Sequence, residues 1–111
     1  MQAHTKALIS AAIAVAINST AWAADVDAGA AEALLKKSGC NKCHSLDKTK
    51  EGPSFKETAA KYKGKADAEE TVYKQITTSP KIKVDGKEEV HANLKAKDDE
   101  VRNVARWILS R

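Results

Sequence analysis

The chain has 111 residues, with 19 Lys and Arg against 15 Asp and Glu and a net charge of +4 when histidine is neutral. That length accommodates one domain. The positive excess is mild and only 5% of residues are aromatic, so the basic stripe with interleaved aromatics of a nucleic-acid binder is missing and nucleic acid is not an expected partner.

In chain order, "MQAHTK" carries one lysine, "ALISAAIAVAI" is a continuous apolar run, and "NSTAWA" ends in Ala21-Trp22-Ala23. This is the layout of a signal peptide with a small-x-small cleavage site. The run is too short to cross a bilayer, which takes roughly 20 apolar residues. Residues 1–23 are therefore expected to be a cleaved signal peptide, cut near Ala23 or Ala24. Residues 24–111 are then the single domain, exported to the periplasm or an equivalent space without stable membrane insertion. Cleavage removes Met1, the only methionine, together with His4, Lys6 and Trp22. His44 and His91 are the histidines that remain, and the balance becomes 18 basic against 15 acidic residues, or +3.

The mature part reads as all-α. Ala31, Leu34, Leu35 and Ser38 follow i, i+3, i+4, i+7 spacing, which predicts an amphipathic helix over 27–37, stopped by Gly39. "KTKEGPS" is a loop punctuated by Gly52-Pro53. Ser54 with Glu57 is a capping-box pattern that opens a short helix, closed by Gly64. Asp67 with Glu70 repeats the pattern before a face of Ala68, Val72, Tyr73 and Ile76. Ser79-Pro80 ends that helix, because the residue before proline is driven out of the α region. Asp98, Asp99 and Glu100 suit the positive end of a last helix, whose stripe is Val101, Val104, Ala105, Ile108 and Leu109. No strand alternation stands out.

Under ninety residues with narrow apolar stripes make a marginal core without a staple, metal or cofactor. Residues 79–97 form a long aperiodic connection, and such loops are uncommon unless they serve function. A large apolar cofactor in the middle, with the loop folded over it, accounts for both. "GCNKCHS" supplies the means. Cys40 and Cys43 with His44 next to them form C-x-x-C-H, a c-type haem attachment pattern. Cysteines one turn apart can reach two vinyl groups as thioethers, and His44 then comes beneath the ring toward the iron. Three other uses of the motif are weaker. A thioredoxin-like pair wants a βαβ setting. A disulfide between these cysteines closes too small a loop to constrain much. A Cys₂His₂ zinc site of Cys40, Cys43, His44 and His91 needs adjacent residues to share one tetrahedron.

With these residues in view, the chain resembles the small bacterial monohaem class I cytochromes c, periplasmic electron carriers. "LLKKSGCNKCHSLD" is similar to their first helix and haem motif, "GPSFKETAAKYKG" to the segment that follows, and "DDEVRNVARWILS" to their C-terminal helix with its tryptophan. The resemblance implies a class I fold, short helices and a long loop around one covalent haem c and its iron. It implies helices crossing near Leu35 and Trp107, and a Pro53 carbonyl that accepts from the His44 ring. Other redox proteins are the implied partners and catalysis is not implied.

The departure is the second iron ligand. The family normally places a methionine in the loop before the last helix, a little over a dozen residues before the tryptophan. The mature chain has none, and His91 falls at that position. His91 is the expected distal ligand; Asn93, Lys87, Lys95, water or an open site are the alternatives. Two histidines would saturate the iron and lower the potential relative to His/Met relatives, since methionine raises it. An open position would instead make a binding or sensing protein for NO, CO or O2, and an open position with His91 as acid–base group would make a peroxidase. From Lys36 to Lys65 there are nine lysines against Asp47, Glu51 and Glu57. They suggest an electropositive rim that steers an acidic redox partner.

Overall fold

The computed structural model describes residues 11–14 and 26–111. Apart from residues 11–14, the expected signal peptide and its cleavage site lie outside the described residues.

Helix α1 covers Ala28–Lys37, and Asp27 caps it by accepting from the Ala30 amide. Helix α2 covers Phe55–Tyr62 behind a complete capping box. Ser54 Oγ accepts from the Glu57 amide at 3.0 Å, and Glu57 Oε2 accepts from the Ser54 amide at 2.7 Å. Ser54 is wholly buried, so its hydroxyl and its amide both depend on this reciprocal pair. Gly64 takes φ +76° just beyond α2, in the left-handed region that suits glycine, and the Lys65 amide bonds back to the Tyr62 carbonyl.

Helix α3 covers Ala68–Thr77 and α4 covers Asp98–Leu109. The second capping box is not formed. Asp67 has φ −96° and ψ 11°, outside the extended region an N-cap needs, and its side chain caps nothing.

The expectation of no strands is also corrected. Residues 79–97 contain an antiparallel hairpin, β1 at Lys81–Val84 and β2 at Lys87–Val90. Asp85 and Gly86 join the strands with φ +50° and +78°, the positive pair of a type I′ turn. The fold remains four short helices, with the hairpin as part of the long connection.

Helix α4 is the hub against which α1, α2 and α3 pack. Its stripe of Val101, Val104, Ala105, Trp107 and Ile108 is buried and joins Leu35, Phe55, Val72, Ile76 and Leu94 in one core. Each large aliphatic side chain so buried contributes about 1.5–3 kcal/mol. Asn103 ties α4 to the start of α1: its amide exchanges two 2.9 Å hydrogen bonds with the Asp27 backbone. Arg102 ties α4 to α3, bonding Asp98 at 3.1 Å and Glu70 at 3.2 Å while lying 4.1 Å above the Tyr73 ring. Tyr73 also donates to Asp98 at 2.7 Å. The two ends of the long connection, at α3 and α4, are thereby clasped together.

Candidate functional site

Gly39, at φ +75°, turns the chain from α1 into a 3₁₀ turn over Cys40–Lys42. The Cys40 carbonyl accepts from both the Cys43 and His44 amides, at 3.2 and 3.0 Å. Cys40, Cys43 and His44 are thus wound onto one turn, and both thiols are free. No disulfide closes the pair. Among the described residues no cluster of three or more His, Cys, Asp or Glu side chains forms a metal site, so the four-residue zinc set is not assembled.

The loop after the motif folds back on it. The Gly52 amide bonds the Cys43 carbonyl at 2.9 Å, and the Phe55 amide bonds the Ser45 carbonyl at 2.9 Å. This brings His44 Nδ1 to 2.7 Å from the Pro53 carbonyl oxygen. A carbonyl can only accept, so Nδ1 carries the proton and Nε2 keeps a free lone pair. Such a contact fixes both tautomer and ring orientation of a metal-binding histidine. Gly52 is required by space: a Cβ there would overlap His44 Cε1 and stand 2.8 Å from Nδ1. Phe55 stacks on the ring from 5.7 Å at 24°, and Trp107 meets Phe55 edge-on at 5.4 Å.

The residues just after the hairpin come close to His44. The His91 amide bonds the Pro80 carbonyl at 2.9 Å, extending the ladder one step past β2. The Leu94 amide bonds the Ile76 carbonyl at 2.8 Å, and Asn93 Nδ2 donates to Ser79 Oγ at 2.9 Å. His91 Nδ1 donates to the Ala92 carbonyl at 2.7 Å, so its Nε2 is bare as well. The two imidazole centroids are 6.1 Å apart with planes at 53°. Partial burial holds the His91 pKa below the usual imidazole range; its bond to Ala92 opposes that shift and the nearby His44 adds to it. The neutral ring is favoured.

The thiols differ. Burial pushes the Cys40 thiol up, partly offset by a backbone hydrogen bond. Cys43 Sγ donates to Glu51 Oε2 at 3.2 Å, and that bond is the main cause of its raised pKa. Glu51 was not legible as a site residue, because nothing in the spacing shows that the loop returns it to Cys43. The hairpin did carry a signal, the Asp85-Gly86 pair between two short runs containing Ile82, Val84 and Val90.

Two free thiols on one turn, an adjacent imidazole with one nitrogen committed, and a four-helix frame define a protein that carries haem covalently. The comparisons name the kind. The chain belongs to the cytochrome c family, which matches residues 28–111. It is 37% identical over 90 residues to cytochrome c-551 of Pseudomonas aeruginosa, covering 81% of this chain and 80% of that protein. It is 35% identical over 84 residues to cytochrome c-552 of Hydrogenobacter thermophilus, covering 71% and 79%. Among solved structures, the class 1 cytochrome MtoD from Sideroxydans lithotrophicus ES-1 superposes with a TM-score of 0.75 at 46% identity, covering 77% of this chain and 96% of that one. Cytochrome c552 of Nitrosomonas europaea gives 0.60 at 29% identity, covering 71% and 96%. The class I fold is therefore this chain's fold, and the C-x-x-C-H motif of Cys40, Cys43 and His44 carries one covalent haem c with its iron. The protein is an electron carrier and not an enzyme. No helix among the described residues is long and apolar enough to cross a membrane.

Proposed function

We propose that the protein is a periplasmic electron carrier whose iron is held between His44 and His91, with a lower potential than His/Met relatives. The observation that supports this is the neighbouring pair of imidazoles, 6.1 Å apart between centroids, each with Nδ1 engaged by a backbone carbonyl. The other candidates for the distal side are less suited: Asn93 donates to Ser79, and Lys87 and Lys95 are exposed. The haem supplies a one-electron ferric/ferrous couple. His44 is fixed from behind by Pro53, and His91 is carried on the hairpin. Two nitrogen ligands leave no coordination site for substrate and keep the surroundings little changed on electron transfer. Imidazole in place of a thioether lowers the potential, which suits a lower-potential respiratory chain. Residues 1–23 act as the signal peptide for export, with residues 24–111 as the monohaem domain.

Exposed Lys36, Lys37, Lys42, Lys48 and Lys50 surround the attachment turn in sequence, and they form the rim that meets an acidic redox partner. Electron exchange with such a partner slows as salt rises, because the Debye length falls to about 10 Å at 0.1 M. The direct test of ligation is magnetic resonance and near-infrared spectroscopy of the ferric protein, with carbon monoxide added to the reduced form. A low-spin bis-imidazole signature and slow gas binding are expected. Fast, complete carbon monoxide binding would overturn the saturated-iron reading and favour NO, CO or O2 binding as the function.

A further inference from the structure

With His91 as the distal ligand, the reading on which this step rests, we propose that Ser79 and Asn93 are a positioning pair for its imidazole. Their hydrogen bond fixes the peptide unit on which the His91 ring leans. Ser79 stands where glycine is the usual residue. Its φ is +49°, in the left-handed region that residues with a side chain seldom enter. Such strain persists only where the surroundings hold it in place.

What holds Ser79 is a closure between the two ends of the long connection. The Leu94 amide bonds the Ile76 carbonyl at 2.8 Å, and the His91 amide bonds the Pro80 carbonyl at 2.9 Å. Between them Asn93 Nδ2 donates to Ser79 Oγ at 2.9 Å. The first two bonds join backbone groups, which side-chain substitution leaves in place. The third is made by side chains, so it is the part of the closure that the sequence selects. Leu94 is buried in the core, while Ser79, His91 and Asn93 are half-buried.

One peptide unit links Asn93 to the imidazole. His91 Nδ1 donates to the Ala92 carbonyl at 2.7 Å. That carbonyl lies in one plane with the Asn93 amide nitrogen and Cα, because the peptide bond is planar. Tying the Asn93 side chain to Ser79 therefore restrains the direction of the carbonyl, and with it the plane of the ring. Ala92 is exposed and has no polar side chain with which to anchor the unit itself. A ligating histidine is oriented in general by the partner of its second nitrogen. On the proximal side that partner is the carbonyl of Pro53, whose ring fixes its own φ. On the distal side the same restraint comes from the Asn93–Ser79 bond.

The test uses the haem-loaded protein. Asn93→Ala removes the donor, Ser79→Ala removes the acceptor with the same demand on the backbone, and the double variant removes both. Asn103→Ala, which loses the bonds between α4 and the start of α1, controls for general destabilisation. Electron paramagnetic resonance of the ferric form reads the angle between the two imidazole planes. Carbon monoxide binding to the reduced form reads how often His91 leaves the iron. Each single variant is expected to shift the low-spin signal and to bind the gas roughly 2- to 12-fold faster, the population change that follows loss of one ordinary hydrogen bond. The double variant should match the faster single one, because both remove the same bond. Asn103→Ala should melt earlier yet keep the parent's signal and gas-binding rate. Three results would overturn the pairing and leave bis-imidazole ligation standing: single variants identical to the parent, rate gains that multiply in the double variant, or equal acceleration in Asn103→Ala. A parent without a bis-imidazole signal would overturn the ligation and the pairing together.

Discussion

Replacing Gly52 by alanine should displace the His44 ring and destabilise the protein well beyond an ordinary loop substitution. The new Cβ would lie 2.8 Å from Nδ1 and 3.1 Å from Nε2, where ordinary contact begins at 3.4 Å. The ring must therefore retreat by about 0.6 Å at Nδ1, and further at Cε1. A shift of that size away from Pro53 lengthens the 2.7 Å hydrogen bond beyond the usual limit of about 3.2 Å. Overpacking of this kind costs about 1–3 kcal/mol, and the lost hydrogen bond about 0.5–1.5 kcal/mol more. The total, about 1.5–4.5 kcal/mol, corresponds to a fall in Tm of roughly 6–36 °C for a domain of this size. Circular dichroism melts of the haem-loaded variant measure the loss, and its ferric absorption spectrum reports whether the histidine still meets the iron squarely. A variant within about 1 kcal/mol of the parent, with an unchanged spectrum, would refute the reasoning, since it would show slack behind His44 that the contacts do not contain.

The remaining predictions concern the distal wall, a cap and the clasp. His91→Ala should give a high-spin or water-ligated ferric spectrum and carbon monoxide binding when reduced, while His91→Met should raise the potential if the thioether reaches the iron; spectra and potential unchanged in both would make His91 a plain loop residue. Ser54→Ala should cost about 1–2 kcal/mol in denaturant unfolding, because it removes a buried cap; a cost below about 0.3 kcal/mol, as for a Gly cap, would mean that the box contributes little. The Asp98 carboxyl is held below its usual range by the Tyr73 hydroxyl first and by Arg102 second. Its contribution is therefore present above the unfolded value of about 3.9 and fades as pH falls through the lower folded value. Asp98→Asn should flatten that acid limb of a Tm-against-pH curve, and parallel limbs in the two proteins would contradict the assignment.

Much of this arrangement could be read from local chemistry. Ser54 and Glu57 announced their helix because a capping box is a contact between residues three apart, and both halves of it formed. Gly39 and Gly64 marked ends that depend on one residue's backbone freedom, and Pro80 one that depends on its restriction. The Asp67 box failed because the chain enters α3 from a tight turn, with the Ala68 amide bonded to the Lys65 carbonyl, so Asp67 never reaches the extended conformation. The hairpin was missed because its strands are four residues each and β2 is exposed throughout, so hydrophobic alternation is faint and only Asp85-Gly86 marks the turn. The approach of Glu51 to Cys43 and of His91 to His44 is tertiary: the first needs a loop to double back, the second needs a strap closed at Pro80 and Leu94.

The hairpin turns the side on which His91 lies into a question of parity. On its inward side Ile82 opposes Glu89 and Val84 opposes Lys87, while Lys81, Lys83, Glu88 and Val90 lie on the other face. His91 continues the inward row two residues beyond Glu89. With the register held from the turn, removing one residue between Gly86 and His91 would send the imidazole outward, move Val90 to the inward position of Glu89 and bring Ala92 opposite Pro80, because side chains alternate with a period of two. Removing one residue from each strand would shorten the tip and leave the imidazole where it is. Tip length and the facing of His91 can therefore vary independently, provided that the two strands lengthen or shorten together.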